Sequence, residues 1–217
     1  MVQSLAKVLS VGAIVGFASA AYADLNLDVA GKAGHRWSTV KPAEGDSTFR
    51  GANEYTVSAG YRILDLPVAV SGDFGVVTNN TKDISNDAYK ATSSYGYEIA
   101  AGVKAWVPAS FLLHTVGTSR AVPYAKVGHT LFSKYTTKGQ VEFAGTTTTV
   151  PTVNSASDGF NYHVGTAVAV TDSVGVTAEY MYTARSEKSK VSTAGEDVTM
   201  KNRVRTHAAL IGAEVAL

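Results

Sequence analysis

Polar and apolar residues alternate along most of the chain, the two-residue period of a strand with two unlike faces. In the run from Leu25, the set Leu25, Leu27, Val29, Gly31, Ala33 and Trp37 faces one way, and Asn26, Asp28, Lys32, Gly34 and Arg36 face the other. A second run sets Tyr55, Val57, Ala59, Tyr61 and Ile63 against Glu54, Thr56, Ser58, Gly60 and Arg62. In a third, Val68, Val70, Phe74 and Val76 oppose Ser71, Asp73 and Gly75; in a fourth, Tyr95, Tyr97, Ile99, Ala101 and Val103 oppose Glu98, Gly102 and Lys104.

The second half repeats the pattern. Ala125, Val127 and Leu131 stand opposite Lys126, Gly128 and Thr130; Tyr162, Val164, Val168 and Val170 stand opposite Asn161, His163 and Gly165. Val174, Val176, Ala178, Tyr180 and Tyr182 oppose Thr177, Glu179, Met181 and Arg185, and the last run sets Ile211, Ala213, Val215 and Leu217 against Thr206, Gly212 and Glu214. The pattern predicts about eight antiparallel strands in an all-β fold.

Wherever a run holds two or more charges, they share one face: Asp28, Lys32 and Arg36; Glu54 and Arg62; Glu98 and Lys104; Glu179 and Arg185. The polar face therefore collects Asp28, Glu54, Asp73, Glu98, Glu179 and Glu214 with Lys32, Arg36, Arg62, Lys104, Lys126 and Arg185. Its signs balance.

Alternation alone allows two closed barrels, a soluble one of the lipocalin type with apolar residues inside, and a transmembrane one turned inside out. Gly, Ala, Ser and Thr between the charges suit a narrow interior better than a solvated surface. Trp37, Tyr55, Tyr95, Tyr97, Tyr162, Tyr180 and Tyr182 lie on the apolar face near strand ends, where a membrane interface favours aromatics. Links also alternate in length, short at Leu64 to Pro67 and Thr171 to Val174. Long polar links run through Val40 to Ala52, Thr78 to Ser93, Lys134 to Gly159 and Ser186 to Asn202. Short periplasmic turns with long external loops favour the transmembrane form. Val107 to Ala121 breaks this rule, a nominal short turn holding Phe111, Leu112 and Leu113, which suits a helical turn or longer neighbouring strands.

The N-terminus adds an export signal. Lys7, an apolar stretch from Val8 to Ala20 and Ala21-Tyr22-Ala23 before Asp24 form the pattern of a secretory signal peptide over residues 1–23, with cleavage between Ala23 and Asp24. The remainder, residues 24–217, is one domain by length. Cysteine is absent, which excludes disulfides, a thiol nucleophile and thiolate metal sites. A formal net charge of +1 argues against a nucleic-acid partner.

On these features the chain resembles the eight-stranded outer-membrane β-barrels of Gram-negative bacteria, the OmpA/OmpX-type and opacity-like group. The stretch from Asn161 to Ala184 is similar to the strand, tight turn and Glu-Tyr-containing strand near the end of such barrels, and Pro123 to Gly128 looks like another of their strands. The C-terminal run resembles the signal read by the outer-membrane assembly machinery, with Leu217 where an aromatic is usual. The resemblance implies an outer-membrane location, contact with membrane lipid and lipopolysaccharide, and a monomer.

In a barrel this narrow the inward charges form a paired polar core, because an unpaired buried charge is costly. The same residues could instead line a thin path for ions or small solutes. His35, His114, His129, His163 and His207 are scattered without metal-ligand spacing, which points to no metal and no cofactor. His163 falls on the polar face; His129 falls on the apolar one. The His and Ser two residues apart of lipid A deacylases have no counterpart, since Thr130 and Leu131 follow His129. No catalytic residue is expected. The expected function is non-enzymatic, in envelope integrity or in adhesion to a host surface or matrix through the loops, with a narrow porin-like channel as the alternative.

Overall fold

The computed structural model describes residues 27–42, 48–63, 66–79, 85–86, 89–106, 121–143, 146–156, 159–171, 173–193 and 196–216. The predicted signal segment and its cleavage site, Val107 to Arg120 and His114 lie outside the described residues.

Strands β1 (Leu27–Pro42), β2 (Thr48–Arg62) and β3 (Val68–Asn79) form an antiparallel meander. A two-residue pairing, β4 (Ser85–Asn86), joins the end of β5 (Tyr89–Trp106), which pairs β3. β6 (Ala121–Phe143) follows, then β7 (Thr146–Ala156) and β8 (Gly159–Ala169), which pair the upper and lower parts of β6. They share one position in the wall, since both also pair β9 (Val174–Thr193). β10 (Glu196–Ala216) pairs β9 on one side and β1 on the other, from Asp28↔Ala216 to Pro42↔Asn202. That last pairing closes an eight-stranded barrel.

The faces settle which way the barrel is turned. Val57, Tyr61, Val70, Phe74, Ile99, Val103, Val127, Phe160, Val164, Val176 and Ile211 stand exposed around the outside, whereas Asp28, Lys32, Arg36, Glu54, Glu98, Lys104, Lys126, Glu179, Arg185 and Glu214 are buried inside. An apolar band on the exterior of a closed barrel is matched to hydrocarbon rather than to water. No helix among the described residues is long and apolar enough to cross a membrane; the crossing is made by strands.

Both tight turns hold where expected. Ile63 N donates to Val68 O at 2.9 Å, and Val170 N donates to Val174 O at 2.8 Å. Ala216 N donates to Ser173 O at 2.9 Å, so the C-terminal strand ends beside the second turn and β1 starts at the same end.

The opposite end departs from the sequence reading. Segments read as long polar loops are largely strands: β9 and β10 pair from Val215↔Val174 to Glu196↔Thr193, and β6 and β7 pair up to Phe143↔Thr146. Thr, Ser and Lys are compatible with strands whose two faces both meet water, so loss of apolar alternation does not by itself mark the end of a sheet. β1 and β5 likewise run on into the segments read as links, to Pro42 and from Tyr89.

Strand β6 carries an irregularity that matters for the interior. Ile99 pairs Phe132 while Ala100 pairs Thr130, so Leu131 is an inserted residue, and both Leu131 and Phe132 face outward. This β-bulge shifts the inward parity from even to odd numbers. Tyr124, Lys126, Gly128 and Thr130 point inward below it, Ser133 and Tyr135 above it.

Candidate functional site: the charged lumen

Asp28, Lys32, Arg36, Glu54, Glu98, Lys104, Lys126, Glu179, Arg185 and Glu214 are buried inside the barrel, and with Asp73 and the partly exposed Arg62 they pair in three tiers. At the end that holds the termini, Lys104 Nζ lies 2.8 Å from Glu214 Oε2 and 3.6 Å from Asp28 Oδ2, and Arg62 Nε donates to Asp28 Oδ1 at 3.1 Å. Trp106 caps this tier, with Arg62 5.2 Å and Lys104 4.8 Å from its ring centroid. Such cation–π contacts add to the ion pairs because the indole excludes water from them.

Glu179 is the centre of the middle tier. It accepts from Lys32 Nζ at 2.6 Å and from the Tyr124 hydroxyl at 2.7 Å, both on Oε2, while His163 Nδ1 lies 2.9 Å from Oε1. Lys126 pairs with Asp73 beside it. Tyr124 faces Gly165 across the β6–β8 pair, where a Cβ would come within 2.7 Å of the ring. Glycine is needed there because the tyrosine occupies the space of the missing side chain.

The third tier is the most crowded. Arg185 Nη1 donates to Glu98 Oε2 at 2.6 Å, and its Nη2 lies 2.8 Å from Glu187 Oε1. Tyr135 donates to the same Glu98 oxygen at 2.7 Å, with Arg185 4.7 Å and Arg36 5.4 Å from its ring centroid. Arg36 lies between Glu54 and Glu98, 3.8 and 3.9 Å away, and donates to Tyr135 Oη and Thr206 Oγ1. Thr130 donates from below to Glu98 Oε1 at 3.1 Å.

The geometry of these pairs matters more than their number. Lys104 on β5 reaches Glu214 on β10, on the opposite wall; Arg185 on β9 reaches Glu98 on β5; Arg36 on β1 reaches Tyr135 on β6. Each joins strands that share no backbone hydrogen bond, so the side chains tie the walls across the lumen. Among the described residues, several buried atoms have no hydrogen-bond partner, namely Glu54 Oε2, Ser58 Oγ, His163 Nε2, Thr177 Oγ1 and Thr183 Oγ1.

Sequence reasoning omitted Tyr124, Tyr135, Trp106 and Glu187. Tyr124 and Trp106 share parity with Lys126 and Lys104, which is the signal that places them inside, against the usual preference of aromatics for the lipid-facing side. Tyr135 was hidden by the bulge. Glu187 keeps the parity of Arg185 but fell inside a segment read as loop.

The histidines separate by face. His163 sits in the lumen on Glu179; His129 faces outward with its ring edge-on to Phe160, centroids 5.3 Å apart, which accounts for an imidazole on the apolar face. His35 and His207 flank Trp37 on the exterior. Among the described residues no group of His, Asp and Glu has a metal-holding arrangement.

A family model described as "Outer membrane protein beta-barrel domain" matches residues 8–215. No curated protein matches the sequence. Among solved structures, Neisserial surface protein A is 19% identical with a TM-score of 0.50, over 88% of this chain and 97% of that one. Ail, the attachment invasion locus protein of Yersinia pestis, is 13% identical with a TM-score of 0.47, over 86% of this chain and 97% of that one. The outer membrane protein AlkL is 12% identical with a TM-score of 0.48, over 91% and 92%.

Proposed function

Because the chain belongs to the outer membrane protein β-barrel domain family, we propose that it is a non-enzymatic outer-membrane protein whose barrel is a sealed scaffold and whose projecting hairpins act at the cell surface. The observation that carries this reading is the cross-lumen pairing. A guanidinium or ammonium held between carboxylates on far walls is committed to structure, and moving it aside for a passing solute would expose several uncompensated buried charges at once. Function then falls to the hairpins β6–β7 and β9–β10, which continue the sheet beyond the apolar band as stiff arms rather than slack loops. Rigid elements presenting polar tips suit adhesion to a host surface or matrix, or contact with other envelope components.

A narrow channel is the second reading. It is favoured by the unbonded atoms of Glu54, His163, Ser58, Thr177 and Thr183, polar groups that water could satisfy. Planar-bilayer recording on protein shown to be folded by a mobility difference between boiled and unboiled samples separates the two. Folded protein that inserts without current supports the sealed scaffold. Discrete steps that change with Lys104→Ala or Glu98→Ala make transport the function instead.

A further inference from the structure

The exterior is not uniform around the barrel. On the outward face of β1, β10 and β9, Lys41, Arg203, Arg205, Lys201 and Lys188 are all exposed, and the register sets Lys41 opposite Arg203 and Lys201 opposite Lys188. Like charges directly across a strand pair repel. None of these five has an ion-pair partner among the described residues, and the acids of the same strands whose side chains are described, Asp28, Glu179, Glu187 and Glu214, are buried on the inner face. Among the described residues the repulsion has no compensating acid on that face.

Directly below lies an aromatic belt. Trp37 stacks on His207 with centroids 6.0 Å apart, Tyr182 lies 5.1 Å from His207, and Tyr180 hydrogen-bonds to the same imidazole. Below the belt, on the same strands and β8, the wall dips into an open, apolar depression of about 540 Å³ lined by Ala33, Val164, Ala178, Tyr180, Ala209 and Ile211. Descending β10 alone, the outward residues read Arg203, Arg205, His207, Ala209, Ile211: cation, ring, then smooth groove.

We infer that this face seats one molecule of lipid A from the outer leaflet, its phosphates on Lys41, Arg203 and Arg205 and an acyl chain in the alanine-lined groove. The three levels match an amphiphile with an anionic head, an interfacial sugar and a saturated chain. The cations stand above the aromatic belt, at headgroup height, and the groove stands below it, at chain depth. The inference rests on the outer-membrane placement of the barrel and is independent of whether the barrel conducts or adheres.

The test is native mass spectrometry of the protein released from lipid nanodiscs. Three lipids are compared: bisphosphorylated lipid A, the same lipid with its phosphates removed, and phosphatidylglycerol. One lipid A retained per protein, with retention lost on dephosphorylation, is the expected result. The variant Lys41→Ser/Arg203→Ser/Arg205→Ser weakens retention by roughly a hundredfold, at about a factor of five per cation. Ala209→Phe fills the groove and weakens it independently of charge. Equal retention of phosphatidylglycerol, unchanged retention after dephosphorylation, or a protein dimer closed over the groove would each overturn the proposal. The dephosphorylation arm uses unaltered protein, so it decides even if the triple variant fails to fold; a conduction result bears on the sealed-scaffold reading and leaves this one untouched.

Discussion

Tyr135 donates its hydroxyl to Glu98 Oε2 at 2.7 Å, the same oxygen that Arg185 binds at 2.6 Å, so a neutral ring fixes the carboxylate that two arginines share. Glu98→Ala strips Arg185 and Arg36 of their common partner but leaves each one carboxylate, Glu187 and Glu54, and should cost about 3 kcal/mol of folding stability, the low end of the range for removing one member of a buried pair. Tyr135→Phe keeps the ring against both guanidiniums and loses only hydrogen bonds, for about 2 kcal/mol. Urea unfolding in lipid vesicles, followed by the mobility difference of folded and unfolded protein, ranks the two. A Tyr135→Phe loss equal to that of Glu98→Ala would mean that the tier is held by packing and not by charge.

Much of this tier could be read from the alternation, and what could not has a physical cause. Parity places Arg36, Glu54, Glu98 and Arg185 on one face because strand geometry permits no other arrangement. Parity is silent on partners, since Lys104 and Glu214 are 110 positions apart and meet only after the barrel closes. It also fails across Leu131, where a single inserted residue reverses the reading of everything beyond it, Tyr135 included. The polar run from Ser186 reads as loop because it has no apolar alternation, although Arg185 and Glu187 still stand on alternate inward positions.

The bulge makes a discriminating prediction about chain length. Deleting Leu131 leaves Thr130 inward, Phe132 outward and Ser133 inward, which is the alternation of an unbulged strand. Tyr135 keeps its orientation, so this deletion should fold. Deleting Val127 removes a residue from regular pairing and turns every following or preceding side chain to the wrong face, placing Lys126 or Thr130 toward lipid. That variant should give no heat-modifiable band. Equal behaviour of the two deletions would show that Leu131 is not the inserted residue.

Hairpin β9–β10 should be dispensable only down to a definite point. Glu187 is buried against Arg185, and Asn202, its partner in the register, is buried beside it. Excising residues 189–200 and closing the strands with a two-residue turn removes the outer β9–β10 ladder and the β7–β9 pairs at Thr152, Val153 and Asn154, and should leave unfolding within about 2 kcal/mol of the parent, since the Arg185–Glu187 pair is kept. Excision from Ser186 to Asn202 removes Glu187 and leaves Arg185 with Glu98 alone, so a clear further loss is expected. Binding to host cells, measured on the shorter excision, then reports on the hairpin without a folding defect.

The two tryptophans of the chain lie on opposite sides of the wall, which makes the inside-out orientation measurable with one probe. Trp37 faces outward, stacked on His207, whereas Trp106 faces the lumen against Arg62 and Lys104. Bromine on a lipid chain quenches indole fluorescence only at close range, so barrier and distance both protect a lumenal ring. In vesicles of chain-brominated phospholipid, the Trp106→Phe variant, whose emission comes from Trp37, should be strongly quenched. The Trp37→Phe variant, emitting from Trp106, should retain most of its intensity. A soluble barrel with apolar residues inside would bury Trp37 and hold it away from any lipid, leaving both variants unquenched. The same pair reports on the lumen: acrylamide, a water-soluble quencher, reaches Trp106 through a wet channel, while a sealed tier of Lys104, Asp28 and Glu214 above it confines access to the terminal mouth.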